Sequence, residues 1–473
     1  MSPFFLTRRF DLFLLLACGG TLSVALFHPT YFSDPRPLGV AIFLQLTAAI
    51  LWNYRERFFP FLILAFLWAG MPLPLTEVWV SGRWFLLALG AIAGVILYTA
   101  RQDFSFRTLD LLALACFLAA AVSALVSTYP RVALLKAASL FLLFLFAGTG
   151  ARLAVLGRET RFFSGLLIAC EWLVYGSTIA YFVLKLEAFG NRNSLGVVMG
   201  VVAFPILLWG WFISGSSFQR TRRAFALLLC LLLLFSSYER AGIMAALVSS
   251  SILCLSLRRY RFLAAGLALA LVTAFLVSAV EPLESGPRTD DGSLTSRFVY
   301  KGKREQGILG SRKTVWDQTL SSLRLHPWFG TGFGTSPTFD ETSEVSDTFS
   351  STAQVNREHG NSYLEIAEWV GLLGVAPFLL MLGIIATNVF RVVLWMRRTG
   401  SAASYSVPLA MFVAGALAHA AFEDWLFAAG YHTCVLFWSF AFVLPELVPT
   451  RIAGHYSDPR RGFPSPGPIR AAA

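Results

Sequence analysis

The chain has 473 residues, of which 56% are hydrophobic, 15% aromatic and 14% charged, with a formal net charge of +11. Soluble domains carry more charge and fewer apolar residues, so this composition argues against a soluble enzyme. The basic residues stand in short clusters between apolar runs, as the positive-inside bias places them. We therefore reject nucleic acid as a binding partner. We therefore expect a polytopic membrane protein whose first partner is the lipid bilayer.

Long runs of mostly apolar residues recur from end to end, and their lengths predict about 14 membrane-spanning helices. Because lipid cannot satisfy an unpaired backbone group, the expected fold class is all-α, a polytopic transmembrane helix bundle. Residues 1–280 hold the first group of predicted spans, at 10–27, 38–52, 58–75, 83–99, 108–127, 132–148, 162–184, 194–213, 223–238, 240–257 and 262–280. Residues 363–448 hold the second group, at 363–395, 405–421 and 430–448.

Residues 281–362 lie between the two groups and form the long loop of the prediction. Within this loop, residues 311–325 have helically spaced apolar positions and a polar opposite face, which predicts an amphipathic helix. The apolar positions are Val315, Trp316, Leu320 and Leu323. The stretch "GTGFGT" at 330–335 resembles a phosphate loop, but no strand precedes it, and a simple turn is expected. Residues 449–473 are rich in proline and arginine and predict a disordered tail.

The charge pattern of the short loops predicts the orientation of the bundle. Loops on one side, together with both termini, hold about 20 lysines and arginines, against about half a dozen in the short loops of the other side. The positive-inside bias makes the basic side cytoplasmic. Loop 281–362 and the N-termini of several helices then face the other side, which is the periplasm for a bacterial inner membrane.

Several helices on this map carry an arginine at their non-cytoplasmic N-terminus, namely Arg83, Arg131, Arg192 and Arg240. A cation there meets the positive end of the helix dipole, which is unfavourable by a few tenths to about 1 kcal/mol. Several such cations on one face indicate that an anion belongs between them, and helix N-termini with arginines bind phosphate. Alternatively, Arg83 and Arg131 are interface residues that reach lipid headgroups, and Arg240 pairs with Glu239.

The stretch "EHGNSYLEIAEWVGLLG" at 358–374 places His359 just before an apolar helix. Ser362 and Glu365, which follow it, have the spacing of a capping box. The positive end of the helix dipole favours the neutral imidazole, which can act as a general base near neutral pH. Alternatively, His359 is a polar loop residue without chemistry.

Two acidic residues, Glu423 and Asp424, lie at the non-cytoplasmic end of another predicted span. They either pair with the arginines of that side or line a site for the acceptor. His419 and Glu423 are four residues apart on a helix, a spacing that suits a metal, but no third ligand accompanies them. Neither a metal nor a cofactor is expected.

The stretch "HGNSYLEIAEWVGLLG" resembles the His-Asn-x-(Phe/Tyr)-Leu…Gly-Leu-x-Gly motif of the bacterial O-antigen ligase and polysaccharide polymerase superfamily. Three further stretches resemble the same family: "GNRNSLG", "ERAG" and "LRLHPWFGTGFGT". The likeness in order and topology covers roughly residues 185–440. The chain departs from the family pattern at Gly360, which stands between His359 and Asn361 where many members have His-Asn directly.

This resemblance implies a metal-independent, inverting glycosyltransferase embedded in the membrane. The implied donor is a glycan on undecaprenyl diphosphate, and the implied acceptor is a sugar hydroxyl on lipid A core or on a second lipid-linked glycan. In this scheme Arg192 and Arg240 hold the diphosphate, and His359 accepts the proton of the acceptor. Further candidates for diphosphate binding are Arg131 and Arg83. Candidates for acceptor binding or support are Asn361, Glu239, Glu423 and Asp424.

Two alternatives stay open from the sequence. A flippase or transporter for lipid-linked glycans would also need many helices and cations, but would spread charge through the membrane depth and show internal repeats. The cations here cluster on one face, which favours an enzyme. A protein O-oligosaccharyltransferase of the same fold differs only in its acceptor.

Overall fold

A computed structural model describes residues 16–27 without 18 and 25, and then 35–71, 76–101, 106–186, 189–280, 310–336 and 357–449. The described residues form helices and turns with no β-strand among them, which confirms the all-α class. Several predicted features lie wholly or partly outside these residues: the start of the span at 10–27, most of loop 281–362 and the tail after residue 449.

The helices follow one another with short connections. The first seven are α1 Pro35–Trp52, α2 Phe59–Ala69, α3 Thr76–Thr99, α4 Thr108–Leu125, α5 Pro130–Val155, α6 Glu159–Val183 and α7 Arg192–Phe212. The next seven are α8 Ser217–Ser236, α9 Arg240–Ser256, α10 Tyr260–Val280, α11 Gly310–Leu325, α12 Ser362–Thr399, α13 Ser406–Ala420 and α14 His432–Leu447. Short π-helical turns interrupt α5, α6 and α7.

Six of these helices, α3, α4, α5, α6, α7 and α12, are long and apolar enough to cross a membrane. Five shorter helices, α1, α9, α10, α13 and α14, are also apolar. The described chain is therefore that of a membrane protein, whereas about 14 spans remain a prediction from run lengths. α7 is the most enclosed of the six, since 83% of its apolar window is buried inside the protein.

Helix α11 coincides with the amphipathic helix predicted at 311–325 and packs along α12. Its buried face differs from the predicted one. Thr319 and Ser322 are buried, whereas Leu320 is 40% exposed. Thr319 is buried because its hydroxyl accepts a hydrogen bond from the Arg357 guanidinium, at 3.1 Å. A polar contact therefore contributes to which face of this helix is buried.

The connections between helices gather at two ends of the bundle, as the alternating charge pattern predicts. At one end, hydrogen bonds join Ser127 to Thr335, Ser194 to Tyr431 and Ser362 to Glu423. We call this the His359 end. At the other end, which we call the basic end, contacts join Arg158 and Arg161 to Glu56, Thr160 to Tyr405 and Trp209 to Ala402.

The predicted single span at 363–395 is wrong in one respect, because α12 is two helical segments separated at Gly371. This residue has φ 68° and ψ 179°, far from helical values. The turn at 326–336 fills the break with backbone hydrogen bonds. The amides of Leu372 and Leu373 donate to the carbonyls of Pro327 and Trp328, at 2.8 and 3.2 Å. A buried break in a helix needs such partners, because no water satisfies the freed groups.

The glycines of "GTGFGT" have a structural explanation in this break. Gly330 and Gly332 have positive φ angles of 73° and 107°. A Cβ atom on Gly330 would collide with the backbone of Glu368 and Trp369, and one on Gly332 with Ser127. The stretch is therefore the expected turn, and it lets the backbone of the loop lie directly against the broken helix.

Candidate active site

His359 lies in the turn that leads into α12, and its side chain is fully buried. Its backbone amide donates to Asp424 Oδ2 at 2.6 Å, and the amide of Gly360 donates to the same oxygen at 3.3 Å. The N-cap of α12 is Asn361, whose side chain accepts from the amides of the next turn at 2.9 and 3.1 Å. The capping box predicted from Ser362 and Glu365 is therefore wrong, and Asn361 has the capping role.

The two ring nitrogens of His359 have different surroundings. Nε2 lies 3.0 Å from Ser336 Oγ and 3.2 Å from Glu368 Oε2. Nδ1 lies 3.9 Å from Glu365 Oε1 and has no hydrogen-bond partner among the described residues. The ring stands edge-on to Trp369. Nε2 is thus contacted by two protein groups, whereas Nδ1 is buried without a hydrogen-bond partner among the described residues.

Glu368 and Arg357 complete the surroundings of the imidazole, and sequence reasoning missed both. The Glu368 side chain is fully buried and forms an ion pair with Arg357. A sequence signal existed, because Glu365 and Glu368 are three residues apart and lie on one face of a helix just after His359. Arg357 gave no such signal, since nothing near it in sequence indicates its partner.

Two of the predicted anion ligands, Arg192 and Arg240, are the first residues of α7 and α9. Asn191 caps α7, accepting from the Ser194 amide at 2.7 Å. Glu239 caps α9 by accepting from the amide of Gly242. The two helix starts are packed together, because a Cβ atom on Gly196 of α7 would overlap Glu239. Both N-termini thus open toward the same end of the bundle.

Arg312 of α11 is a third arginine at the His359 end, and sequence reasoning missed it. Its guanidinium forms an ion pair with Glu423 and lies against Gly360, where a Cβ atom would collide with it. Arg312 also interacts electrostatically with Arg240. Burial raises the pKa of Glu423, and the adjacent Arg312 guanidinium opposes that shift. Two guanidinium groups, from α9 and α11, therefore share this region.

The other predicted anion ligands, Arg83 and Arg131, have different surroundings. Arg83 donates to the carbonyl of Gly430 at 2.9 Å, and its guanidinium lies over the rings of Phe66 and Trp84. These contacts favour a structural role that fixes α3 against the start of α14. Arg131 is exposed near the start of α5.

Glu239, predicted as a supporting residue, has a partner on a distant helix. Its Oε1 atom lies 3.4 Å from His419 Nε2, and Trp425 Nε1 donates to His419 Nδ1 at 2.7 Å. His419 therefore faces Glu239, whereas Glu423 pairs with Arg312. This chain of contacts joins the cap of α9 to the connection that also carries Asp424.

One donor set at the His359 end has spacing that could hold a metal ion. His359, Glu365 and Asp424 each offer a ligand atom, and these atoms lie within 4.8 Å of one another. Lys136 interacts electrostatically with Glu365, a member of this set.

The family model described as O-Antigen ligase matches residues 225–379. The matched segment runs from α8 into α12 and contains Arg240, Arg312, His359 and Glu368. No curated protein matches the chain. The matched family is one of ligases of the glycosyltransferase type that act on lipid-linked glycans in a membrane. Residues 225–379, the segment that carries the buried histidine, are therefore similar to the O-antigen ligase family.

Proposed function

We propose that this protein transfers a glycan from undecaprenyl diphosphate to a sugar hydroxyl at the periplasmic face of the bacterial inner membrane. It would act as an O-antigen ligase or as a polysaccharide polymerase. One observation carries the proposal: Arg312 lies against the Gly360 turn, next to the buried His359 and within electrostatic range of Arg240. In this proposal His359 would be the base, and Arg312 and Arg240 would bind the diphosphate.

The arginines would act on the leaving group. When the glycosidic bond breaks, negative charge grows on the lipid diphosphate, and preorganised donors stabilise that charge. Arg240 and Arg312 supply guanidinium groups, and Arg192 supplies another at the adjacent helix start. The N-termini of α7 and α9 add backbone amides and the positive ends of their dipoles. This part of the proposal needs no metal ion, because guanidinium groups and amides stabilise the charge.

His359 would act on the acceptor. The hydroxyl oxygen attacks the anomeric carbon while its proton passes to the imidazole, and the bond to the diphosphate breaks with its electron pair on the leaving group. A single displacement of this kind inverts the anomeric centre. Because the His359 ring has no exposed surface, side chains over the Gly360 turn must move when the acceptor binds. Asp424 is half-buried and offers a carboxylate that can accept from sugar hydroxyls.

The test is transfer by the purified protein in lipid nanodiscs, supplied with a glycan on undecaprenyl diphosphate and a candidate acceptor. We expect product without nucleotide and in the presence of a chelator. His359→Ala should lower turnover by about 10²–10⁴-fold, the usual contribution of a positioned base. His326→Ala is the matched control, because His326 is an exposed histidine at the same end.

Several outcomes would contradict the proposal. Turnover of His359→Ala at the wild-type rate would remove the histidine from the mechanism. Activity lost with chelator and restored by a divalent cation would make the cluster of His359, Glu365 and Asp424 a metal site instead. Movement of the glycan lipid across a membrane without product would indicate a transporter, and product only on a protein acceptor would indicate an oligosaccharyltransferase.

A further inference from the structure

We propose that Glu368, held by Arg357, is a positioning residue that fixes the tautomer of His359 and leaves Nδ1 as the nitrogen that accepts the proton. The inference rests on the proposed function, because it assigns how the base of that reaction is prepared. Glu368 contacts the imidazole and Arg357 contacts Glu368, and the inference assigns neither residue a contact with the substrate.

The charge of Glu368 depends on its ion-pair partner. Its carboxyl group pairs with the Arg357 guanidinium, which stays protonated in proteins. Arg357 is itself held by a hydrogen bond from its NH1 atom to Thr319 Oγ1, at 3.1 Å. A carboxyl group beside a fixed guanidinium is ionised, and an ionised carboxylate can only accept hydrogen bonds.

The second step concerns Nε2 of His359. Glu368 Oε2 lies 3.2 Å from this nitrogen, a hydrogen-bond distance. If Nε2 carried a lone pair, that lone pair would face a carboxylate oxygen at this distance, which is repulsive. If Nε2 carries the hydrogen, it donates to the carboxylate. Ser336 Oγ, at 3.0 Å, suits either form, because a hydroxyl both donates and accepts. Glu368 therefore selects the tautomer with the hydrogen on Nε2.

The third step concerns Nδ1. In this tautomer Nδ1 carries the lone pair, and it has no hydrogen-bond partner although the ring is fully buried. Buried polar atoms are nearly always paired, so an unpaired one calls for an explanation. His359 forms a cluster with Glu365 and Asp424, in which Asp424 is half-buried, and Nδ1 lies 3.9 Å from Glu365 Oε1. In the proposed reaction the acceptor hydroxyl therefore gives its proton to Nδ1, the nitrogen that no protein group binds.

The proton balance is simple. The acceptor hydroxyl loses its proton to Nδ1 as its oxygen bonds to the anomeric carbon. The ring is then an imidazolium with hydrogens on both nitrogens, and the Nε2 hydrogen stays bonded to the Glu368 carboxylate. The carboxylate stabilises the positive ring without taking its proton. Loss of the Nδ1 proton to solvent returns the base to its starting form.

The fold holds Glu368 in place independently of the imidazole. Its carbonyl accepts from the amide of Thr331 at 3.0 Å, just before the break of α12 at Gly371. The carbonyl of Trp369 accepts from Gly332 at 3.2 Å and from the hydroxyl of Ser123 at 2.5 Å. Hydrogen bonds from the turn at 326–336 and from Ser123 of α4 therefore hold the helical turn that carries the carboxylate.

The experiment compares Glu368→Gln and Glu368→Asp with the wild type in nanodiscs. Glutamine keeps the shape, but its amide can donate to Nε2 and so favour the other tautomer. We expect turnover of Glu368→Gln to fall by about 10²–10⁴-fold, with the KM for donor near the wild-type value. Glu368→Asp keeps the charge and should recover part of that loss. Glu77→Gln is the matched control, because Glu77 is 76% exposed and lies on α3.

A spectroscopic readout tests the tautomer directly. Protein labelled with ¹⁵N in its six histidines reports which ring nitrogens carry hydrogen, and His359→Ala identifies the signals of this residue. We expect hydrogen on Nε2 in the wild type and on Nδ1 in Glu368→Gln. Hydrogen on Nδ1 in the wild type would overturn the inference, even if no Glu368 variant folds.

The activities separate this inference from the proposed function. If His359→Ala is inactive while Glu368→Gln turns over normally with an unchanged tautomer, the positioning role is wrong and the base survives. If His359→Ala itself turns over normally, the proposed function is wrong. An unchanged tautomer together with lost turnover in Glu368→Gln would give Glu368 a role other than the one inferred here.

Discussion

At the scale of single residues, Gly360 leaves space for the side chain of Arg312. Gly360 has φ 59°, a left-handed conformation that favours glycine. It also lacks the side chain that would collide with the Arg312 guanidinium. The missing side chain at Gly360 therefore makes room for an arginine from α11. The position of His359 relative to the cap is kept by Asn361 and by the Asp424 carboxylate.

The first mutation prediction concerns Arg312. Arg312→Ala removes a guanidinium from the proposed diphosphate site, and we expect transfer to slow by an amount equivalent to about 2.7–4 kcal/mol of barrier. Arg312→Lys should recover only part, because an ammonium group lacks the two-pronged geometry of guanidinium. Turnover with saturating donor is the measurement.

Lys313→Ala is the matched control for Arg312, because Lys313 is an exposed cation on the same helix. It should transfer glycan at the wild-type rate. Equal losses in the two variants would mean that α11 contributes only general positive charge, and no loss in Arg312→Ala would remove it from the site.

At the scale of elements, the broken helix α12 and the turn at 326–336 form one unit. Each supplies the backbone partners that the other lacks, with the amides of Thr331 and Gly332 donating into α12 and carbonyls of the turn accepting from it. The unit positions both Ser336 and Glu368, which contact the same ring nitrogen of His359, Nε2. Gly371, at the break, therefore contributes to the positions of both residues.

The second mutation prediction concerns this break. Gly371→Ala should lower stability by at least about 2 kcal/mol, because alanine avoids this backbone conformation and its Cβ would overlap the Trp328 carbonyl. The thermal-unfolding midpoint of the purified protein is the measurement. Gly383→Ala, in the same helix, has nothing within 4 Å of the added atom and should leave the midpoint unchanged or slightly raised. An unchanged midpoint for Gly371→Ala would refute the role assigned to the break.

At the scale of the whole molecule, the two ends of the bundle differ in chemistry. The basic end is braced by ion pairs, including Arg152 with Asp110 at 3.0 Å and Arg107 with Glu446 at 2.5 Å. Among the described residues, both ends hold buried polar atoms without hydrogen-bond partners: Nδ1 of His359 and Oε2 of Glu365 at one end, and Nη2 of Arg152 and Oε1 of Glu446 at the other. The basic end thus consists mainly of arginine–carboxylate pairs, whereas the His359 end also contains a buried imidazole.

The third prediction concerns orientation. Single cysteines at Asn193 and Ala403 lie on exposed positions at the His359 end and the basic end, respectively. A membrane-impermeant maleimide applied to intact spheroplasts should label Asn193→Cys and not Ala403→Cys. The described native cysteines are buried and should add little background. The reverse pattern would put the His359 end in the cytoplasm and remove the periplasmic reaction.

The sequence by itself determined the membrane class, the all-helical fold and the family resemblance of the segment that contains His359. These depend on run lengths, on charge between runs and on short motifs, which are local properties of the chain. Tertiary structure decided which groups surround the histidine. Asp424 lies 65 residues from His359, and Glu423 lies 111 residues from Arg312, so no spacing in the sequence predicts these pairs. The sequence also did not predict the break in α12, because a glycine within an apolar run is compatible with a continuous helix. Only a second segment, which supplies the missing backbone partners, makes the break possible.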